Sequence, residues 1–278
     1  MAESPPRIWT VFGVLSLGLS VQLGVGMFAA LIWLLFNSTV DMSSEAWVGE
    51  MMKNPSMFAF MLIGAQLGLL GILLAALYFS PASWRERTRW SWGGASWKWL
   101  PLWCLATVGS GVLGDKIIDS GASEYAQQQM EILSTQPWTY GVFIIIVGSV
   151  LPGIIEELIF RGYVQVRFLK RWSALTAVAL SSLFFALFHW DPVYIILVFP
   201  IGCWLGFLAY RLGGIIPGVC CHIFHNMTAF SLLVFYPAAN TEHEPAWFAV
   251  GLEVLLILCL VAAIFLLLRM PAHDQVSA

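Results

Sequence analysis

The chain has 278 residues, of which 59% are hydrophobic and only 10% are charged, and its mean hydropathy is +0.82. A soluble domain carries about 25% charged residues, so a water-soluble fold of this length is excluded. The net charge of −3 is small, and no loop carries a cysteine pair, so we expect neither a disulfide framework nor a CxxC metal site.

Apolar runs of roughly 17–29 residues recur along the chain, and a bilayer core of about 30 Å needs about 20 helical residues. They predict an all-α, polytopic transmembrane bundle of about eight spans in one membrane domain, residues 1–278. The third run is short, and only Trp190-Asp191-Pro192 separates the fifth from the sixth. The polar connection 115–137 predicts a short surface helix at Glu124–Leu133. The runs are 8–36, 57–79, 98–114, 138–160, 173–190, 193–211, 214–236 and 246–268.

Basic residues distinguish the two ends of this bundle. With a cytoplasmic N-terminus, every basic residue except Lys53 and Lys116 falls on the cytoplasmic side. Membrane proteins generally show such an excess of Lys and Arg in their cytoplasmic loops. We therefore expect both termini in the cytoplasm. The cytoplasmic set is Arg7, Arg85, Arg87, Arg89, Lys98, Arg161, Arg167, Lys170, Arg171, Arg211 and Arg269.

Ionisable side chains inside apolar spans are costly and are treated as functional candidates. Glu157 and Arg161 are four residues apart in the fourth run and can pair on one helix face. Glu156 lies about 100° around the helix with no local cation, which suits a general base that takes a proton from water. An ion-pair network that only fixes helix packing is the alternative for Glu157 and Arg161.

The seventh run carries a second polar cluster. His222 and Asn226 are four residues apart, so both can donate hydrogen bonds to a developing oxyanion on one side of a helix. His225 and Glu253 are instead typical of residues that hydrogen-bond between helices. His189 follows an aromatic run and, taken alone, is typical of an interfacial histidine.

Three spaced motifs occur in order in successive membrane segments: EExxxR (Glu156, Glu157, Arg161), FxxxH (Phe185, His189) and HxxxN (His222, Asn226). This order resembles the CPBP family of CAAX prenyl endopeptidase-like and bacteriocin-processing membrane proteases, also called the ABI family. The resemblance covers about residues 138–236, which we expect to form the catalytic core.

The resemblance implies the roles of these residues. Glu156 activates the hydrolytic water with the help of His189, and His222 and Asn226 form the oxyanion site. These four catalytic residues are surrounded and oriented by Glu157, Arg161 and Phe185.

The resemblance also implies a multi-pass enzyme of the bacterial inner membrane. Its partners are membrane lipid and a membrane-anchored or lipidated peptide or protein, with no nucleic acid. A proton-coupled transporter is one rival, because intramembrane Glu and His residues also form proton relays. A non-catalytic scaffold or immunity protein of the same family is the other.

Zinc is an alternative to a metal-free mechanism, since Glu156, His189, His222 and His225 could supply ligands and Cys221 is near. HExxH is absent, and no two histidines lie four apart on one helix. The sequence therefore favours no cofactor.

Helix geometry places His189 at a different depth in the membrane from Glu156 and His222. At about 1.5 Å per helical residue, His222 lies about 16 Å from Arg211, Glu156 about 21 Å from Lys170, and His189 about 27 Å from Arg171. A straight fifth helix would carry His189 past its partners. A break at Asp191-Pro192, a tilt, or a later helix start could bring it back.

Overall fold

The computed structural model describes residues 8–37, 46–79, 83–118, 133, 135–235 and 246–270, and they contain helices and no strand. The predicted all-α class is confirmed. A 3₁₀ turn, Trp97–Trp99, precedes α5. The helices are α1 Trp9–Phe36, α2 Ala46–Lys53, α3 Pro55–Tyr78, α4 Trp84–Thr88, α5 Leu100–Ile118, α6 Trp138–Leu169, α7 Ala174–Leu187, α8 Pro192–Leu212, α9 Ile216–Phe235 and α10 Ala246–Arg269.

Six of these helices are long and apolar enough to cross a membrane: α1, α3, α6, α8, α9 and α10. The other two predicted spans correspond to α5, which ends with Asp115 and Lys116 in its last turn, and to α7, an apolar helix of 14 residues. The chain is therefore an integral multi-pass membrane protein. The surface helix predicted at Glu124–Leu133 lies outside the described residues, except for Leu133.

Local sequence signals fix the helix ends near the site. Asp191 caps α8, because its Oδ1 accepts a hydrogen bond from the Tyr194 amide at 2.7 Å, and Pro192 occupies the first turn. Gly213 ends α8 with φ of 72°, a conformation that glycine adopts without strain.

The central helix is α6, since half of its most apolar window is buried by protein, against 6% for α1. It is α-helical from Trp138 to Glu156 and π-helical from Glu157 to Gln165. Stretches of π-helix are rare and occur mostly at functional sites. This one begins directly after Glu156.

Two hydrophobic clusters hold the bundle together. One joins α1 and α3 to α6, α7 and α8 through residues such as Leu69, Phe160 and Phe188. The other joins α5, α8, α9 and α10 through residues such as Trp103 and Leu205. Helix α8 takes part in both clusters, so it fixes the α1–α3 pair relative to the α5–α10 pair.

Candidate active site

A cavity of about 350 Å³ lies between α1 and α3 on one side and α6, α7, α8 and α9 on the other. Most of its wall is apolar, and the polar side chains converge at one region of it. Glu156, His189, His222 and Asn226, which the sequence assigned to the site, all line this cavity. The polar lining residues are Gln22, Gln66, Glu156, His189, Trp190, Tyr194, His222, His225 and Asn226.

Glu156 is the last α-helical residue of α6 and is the only acidic residue that lines the cavity in the described part of the chain. Its Oε1 accepts a hydrogen bond from Gln66 Nε2 at 2.7 Å. Its Oε2 lies 3.9 Å from His222 Nε2, which is too long for a hydrogen bond. One oxygen is thus held, and the other can act on a small molecule in the cavity.

Gln66 of α3 is the site residue that the sequence analysis missed. Its side chain is buried, and its Oε1 has no hydrogen-bond partner within the described chain. A carboxylate only accepts hydrogen bonds, so the NH₂ group must face Glu156 and Oε1 must face away from it. The available signal was a lone amide inside an otherwise apolar span, which is costly unless it is hydrogen-bonded.

Glu157 joins Arg161 to His222 behind the cavity. Its Oε1 accepts a hydrogen bond from Arg161 Nη1 at 2.8 Å and lies 3.0 Å from His222 Nδ1. The oxygen that accepts from Arg161 is also the acceptor in this contact, so Nδ1 carries the proton and donates. His222 Nε2 is thereby directed to Glu156 and the cavity.

Arg161 has two further contacts that fix this network. Its Nη2 donates to the Gly202 carbonyl of α8 at 3.0 Å, and its guanidinium lies 4.4 Å from the centre of the Phe185 ring. The same ring packs against the imidazoles of His189 and His222, at centroid distances of 5.1 and 5.8 Å. Phe185 therefore orients both histidines.

Asn226 has a contact that follows from a proline. Pro152 has no N–H, so the carbonyl of Gly148, four residues earlier, lacks its helical donor. Asn226 Nδ2 donates to this carbonyl at 3.4 Å. One of the two amide hydrogens therefore holds α9 against α6, and the second remains for another acceptor.

His189 lies beyond the end of α7, in the turn that leads to α8. Its Nδ1 lies 3.1 Å from the Phe185 carbonyl, so its ring folds back along the helix by about one turn. His189 thus lines the same cavity as Glu156 and His222, although the helix before it ends at Leu187. Trp190, the next residue, has φ of 62°, and its Nε1 donates to Gln22 of α1 at 2.8 Å.

Two other ionisable residues have different surroundings. His225 lines the cavity, and its Nδ1 is buried with no hydrogen-bond partner in the described part of the chain. Glu253 of α10 forms an ion pair with Lys116 of α5, at 2.9 Å between Oε2 and Nζ. Glu253 is therefore an inter-helix contact away from the cavity.

The side chains do not fit a zinc site. Among the described residues, no three His, Cys, Asp or Glu side chains converge with a geometry that could hold a metal ion. His222 Nδ1 is committed to Glu157, and Cys221 Sγ lies 3.8 Å from Cys104 Sγ of α5. Neither atom is available as a ligand in this arrangement.

The fold and the cavity define a multi-pass membrane protein with a cavity between its helices, in which the polar side chains converge at one region. Residues 137–228 match one protein family, described as Type II CAAX prenyl endopeptidase Rce1-like. The resemblance to CAAX prenyl endopeptidase-like proteins is thereby confirmed. The matched segment contains all seven residues of the three motifs. No curated protein and no solved structure matches the chain.

Proposed function

We propose that this protein is an intramembrane endopeptidase that cleaves membrane-anchored or lipidated peptides or proteins with a water activated by Glu156. Proteins of the matched family act on membrane-associated substrates in general. The observation that carries the proposal is the position of Glu156, with Oε1 held by Gln66 and Oε2 directed to the cavity. The proposal places the catalytic core at residues 138–236 in a bacterial inner membrane, with both termini cytoplasmic.

The hydrolysis begins with a water next to Glu156 Oε2 and the His189 imidazole. Glu156 takes one proton from the water while the water oxygen attacks the scissile carbonyl carbon. A C–O bond forms, and the carbonyl oxygen becomes negative. Glu156 then returns the proton to the leaving nitrogen as the C–N bond breaks. The products are a carboxylic acid and an amine.

His222 and Asn226 stabilise the negative oxygen in this scheme. Asn226 Nδ2 has a second hydrogen for it. His222 Nε2 donates only when both ring nitrogens carry protons, because Nδ1–H is already bound to Glu157. The Glu157–Arg161 pair therefore orients the imidazole for this role, as the buried carboxylate does in hydrolases that use a histidine.

The first prediction is that Glu156→Gln abolishes cleavage, because an amide has no basic oxygen that can take the proton of water. The assay measures how fast the purified enzyme cleaves a library of lipidated and transmembrane-anchored peptides. We expect the turnover rate of the variant to be lower by about 10²–10⁴-fold or more. Glu253→Gln is the matched control, since it removes a carboxylate outside the cavity. Full turnover by Glu156→Gln would show that the catalytic role lies elsewhere.

The same assay separates the rival functions. A transporter or a non-catalytic scaffold would cleave none of the peptides, whatever residue stands at position 156. Cleavage by the parent chain that disappears in Glu156→Gln is expected only of the peptidase. Its products then identify the scissile bond.

The second prediction concerns zinc. Because the histidines and carboxylates do not converge as metal ligands, we expect a chelator to leave turnover unchanged and the purified protein to contain much less than one zinc per chain. Elemental analysis and turnover after dialysis against chelator measure both. Loss of activity that added zinc restores would establish the metal mechanism instead.

A further inference from the structure

The cavity extends from Glu156 toward one end of the bundle. Its wall on α9 includes residues from His222 to Leu233, a distance of about 16 Å along the helix. On α3 it includes residues from Leu69 back to Phe58, near the first residue of that helix. In the part of the chain that the structure describes, the starts of α3 and α6 and the end of α9 meet at this end, which we call the open end.

Packed protein closes the cavity on the other side of Glu156. Every residue of the π-helical segment Glu157–Gln165 except Leu158 is buried, and Phe168 beyond it is buried as well. The α4 segment covers the outside of this region, where the absent side chain of Gly162 leaves room for the Thr88 backbone. The Ile215 amide donates to the Arg89 carbonyl at 3.1 Å and ties the start of α9 to it. We call this end the closed end.

The closed end is also the basic end of the protein. The segments that follow α3, α6 and α8 all lie there. Arg211 at the end of α8 donates to the carbonyls of Leu267 and Met270, which brings the last turn of α10 to the same end. Basic residues favour the cytoplasmic side of a membrane, so the closed end is expected in the cytoplasm. The described basic residues of this end include Arg85, Arg87, Lys98, Lys170, Arg171, Arg211 and Arg269.

We propose that the substrate reaches Glu156 from the non-cytoplasmic side of the membrane. This rests on the proposed peptidase function and specifies its substrate class: a polypeptide anchored in the membrane whose scissile bond is presented from outside the cytoplasm. The hydrolytic water enters by the same route, since the described residues on the cytoplasmic side of Glu156 are packed.

Site-specific thiol labelling of the full-length protein tests this without any substrate. Ala229→Cys places a thiol in the cavity wall with a small change in volume. The matched control is Met227→Cys, on the outer surface of the same helix and outside the cavity. A charged, membrane-impermeant maleimide is added to intact cells or to inverted vesicles. Peptide mass spectrometry reads each position separately, so the native cysteines remain in place.

We expect the thiol introduced by Ala229→Cys to react in intact cells at least tenfold faster than the thiol introduced by Met227→Cys. Trp138→Cys at the open end and Trp97→Cys at the closed end report the orientation of the same chain, and both positions are exposed. Trp138→Cys should react in intact cells and Trp97→Cys only in inverted vesicles.

Three results would overturn the proposal: reaction of Ala229→Cys only in inverted vesicles, no reaction from either side, or the reverse pattern for the two tryptophan positions. Labelling does not depend on hydrolysis. A failed proteolysis assay with labelling from outside would therefore disprove the peptidase and leave the access route intact.

Discussion

At the scale of single residues, the catalytic proposal depends on how one carboxylate is held. A glutamate in a membrane cavity can rotate about three side-chain bonds, and a misplacement of about 1 Å is costly for catalysis. The hydrogen bond of 2.7 Å from Gln66 restricts Glu156 from the opposite side of the cavity. Gln66 is therefore a positioning residue, and α3 is part of the site although it carries no motif.

We expect Gln66→Leu to lower kcat about 10–100-fold with a smaller change in KM, because Glu156 loses the hydrogen bond that positions it. Leucine has one side-chain heavy atom fewer than glutamine and keeps most of the packing, and Gln66→Asn should be impaired as well because its amide is too short. Steady-state kinetics on the cleaved peptide measure the effect. The matched control is Gln136→Leu, outside the cavity; a Gln66→Leu enzyme with the kcat of the parent would contradict the positioning role.

The sequence predicts part of this site because seven of its residues occur in three spaced motifs, each on one helix or at its end. Glu157 and Arg161 are four residues apart and do pair at 2.8 Å. The contacts between helices have no such signal: Gln66 is 90 residues from Glu156, and His222 is 65 residues from Glu157. Such contacts depend on helix rotation, which a mostly apolar sequence leaves undetermined.

At the scale of elements, the turn between α7 and α8 determines where His189 lies. Asp191 begins α8 with its cap, and Trp190 adopts a left-handed conformation that is unusual for a bulky residue. Outliers of this kind cost about 1–3 kcal/mol and persist only when neighbouring contacts hold them. The bond from Trp190 to Gln22 and the Asp191 cap are two such contacts.

Asp191→Ala should therefore lower both stability and activity. Loss of a helix cap costs about 1 kcal/mol, and the loosened turn should reduce kcat because His189 lies two residues away. Ser83→Ala is the matched control, since Ser83 caps α4 far from the cavity. Thermal unfolding in detergent and kinetics together measure this; equal kcat losses in the two variants would contradict the role of the turn.

The lengths of the apolar runs predicted the helices well, because a helix that crosses the lipid bilayer needs a continuous apolar segment. Each of the eight predicted runs overlaps one helix, and the first differs from α1 by a single residue at its start. Three elements had no such signal. The helix α2 is short and only moderately apolar, and α4 has five residues that are mostly polar. The π-helical segment of α6 depends on its packing against neighbouring helices.

At the scale of the whole molecule, glycines set the spacing of the helices. Gly109 of α5 faces the Leu256 carbonyl of α10, and Gly114 faces the Leu197 carbonyl of α8. A methyl group at either position would overlap these carbonyl oxygen atoms. Small residues allow such close approach in membrane bundles, where association relies on van der Waals packing.

Gly109→Ala should consequently separate α5 from α10 and lower stability by about 1–3 kcal/mol, the usual cost of overpacking. Gly71→Ala is the matched control, because an added methyl group there meets no atom within 4 Å. Thermal unfolding of both proteins in the same detergent compares them. Equal midpoints would show that the two helices adjust without cost.

The shortness of α7 has a consequence for the membrane around the protein. A helix of 14 residues is about 21 Å long, so it ends about 9 Å short of the far boundary of a hydrocarbon layer of about 30 Å. We therefore expect headgroups and water to lie further inward beside the cavity, next to the polar turn at Asp191. If the substrate crosses the membrane as a helix, that helix must unwind before a peptide bond is cut, and each exposed amide then costs several kcal/mol in lipid. We expect a bilayer that is thinner at this point to hydrate those amides before they reach Glu156.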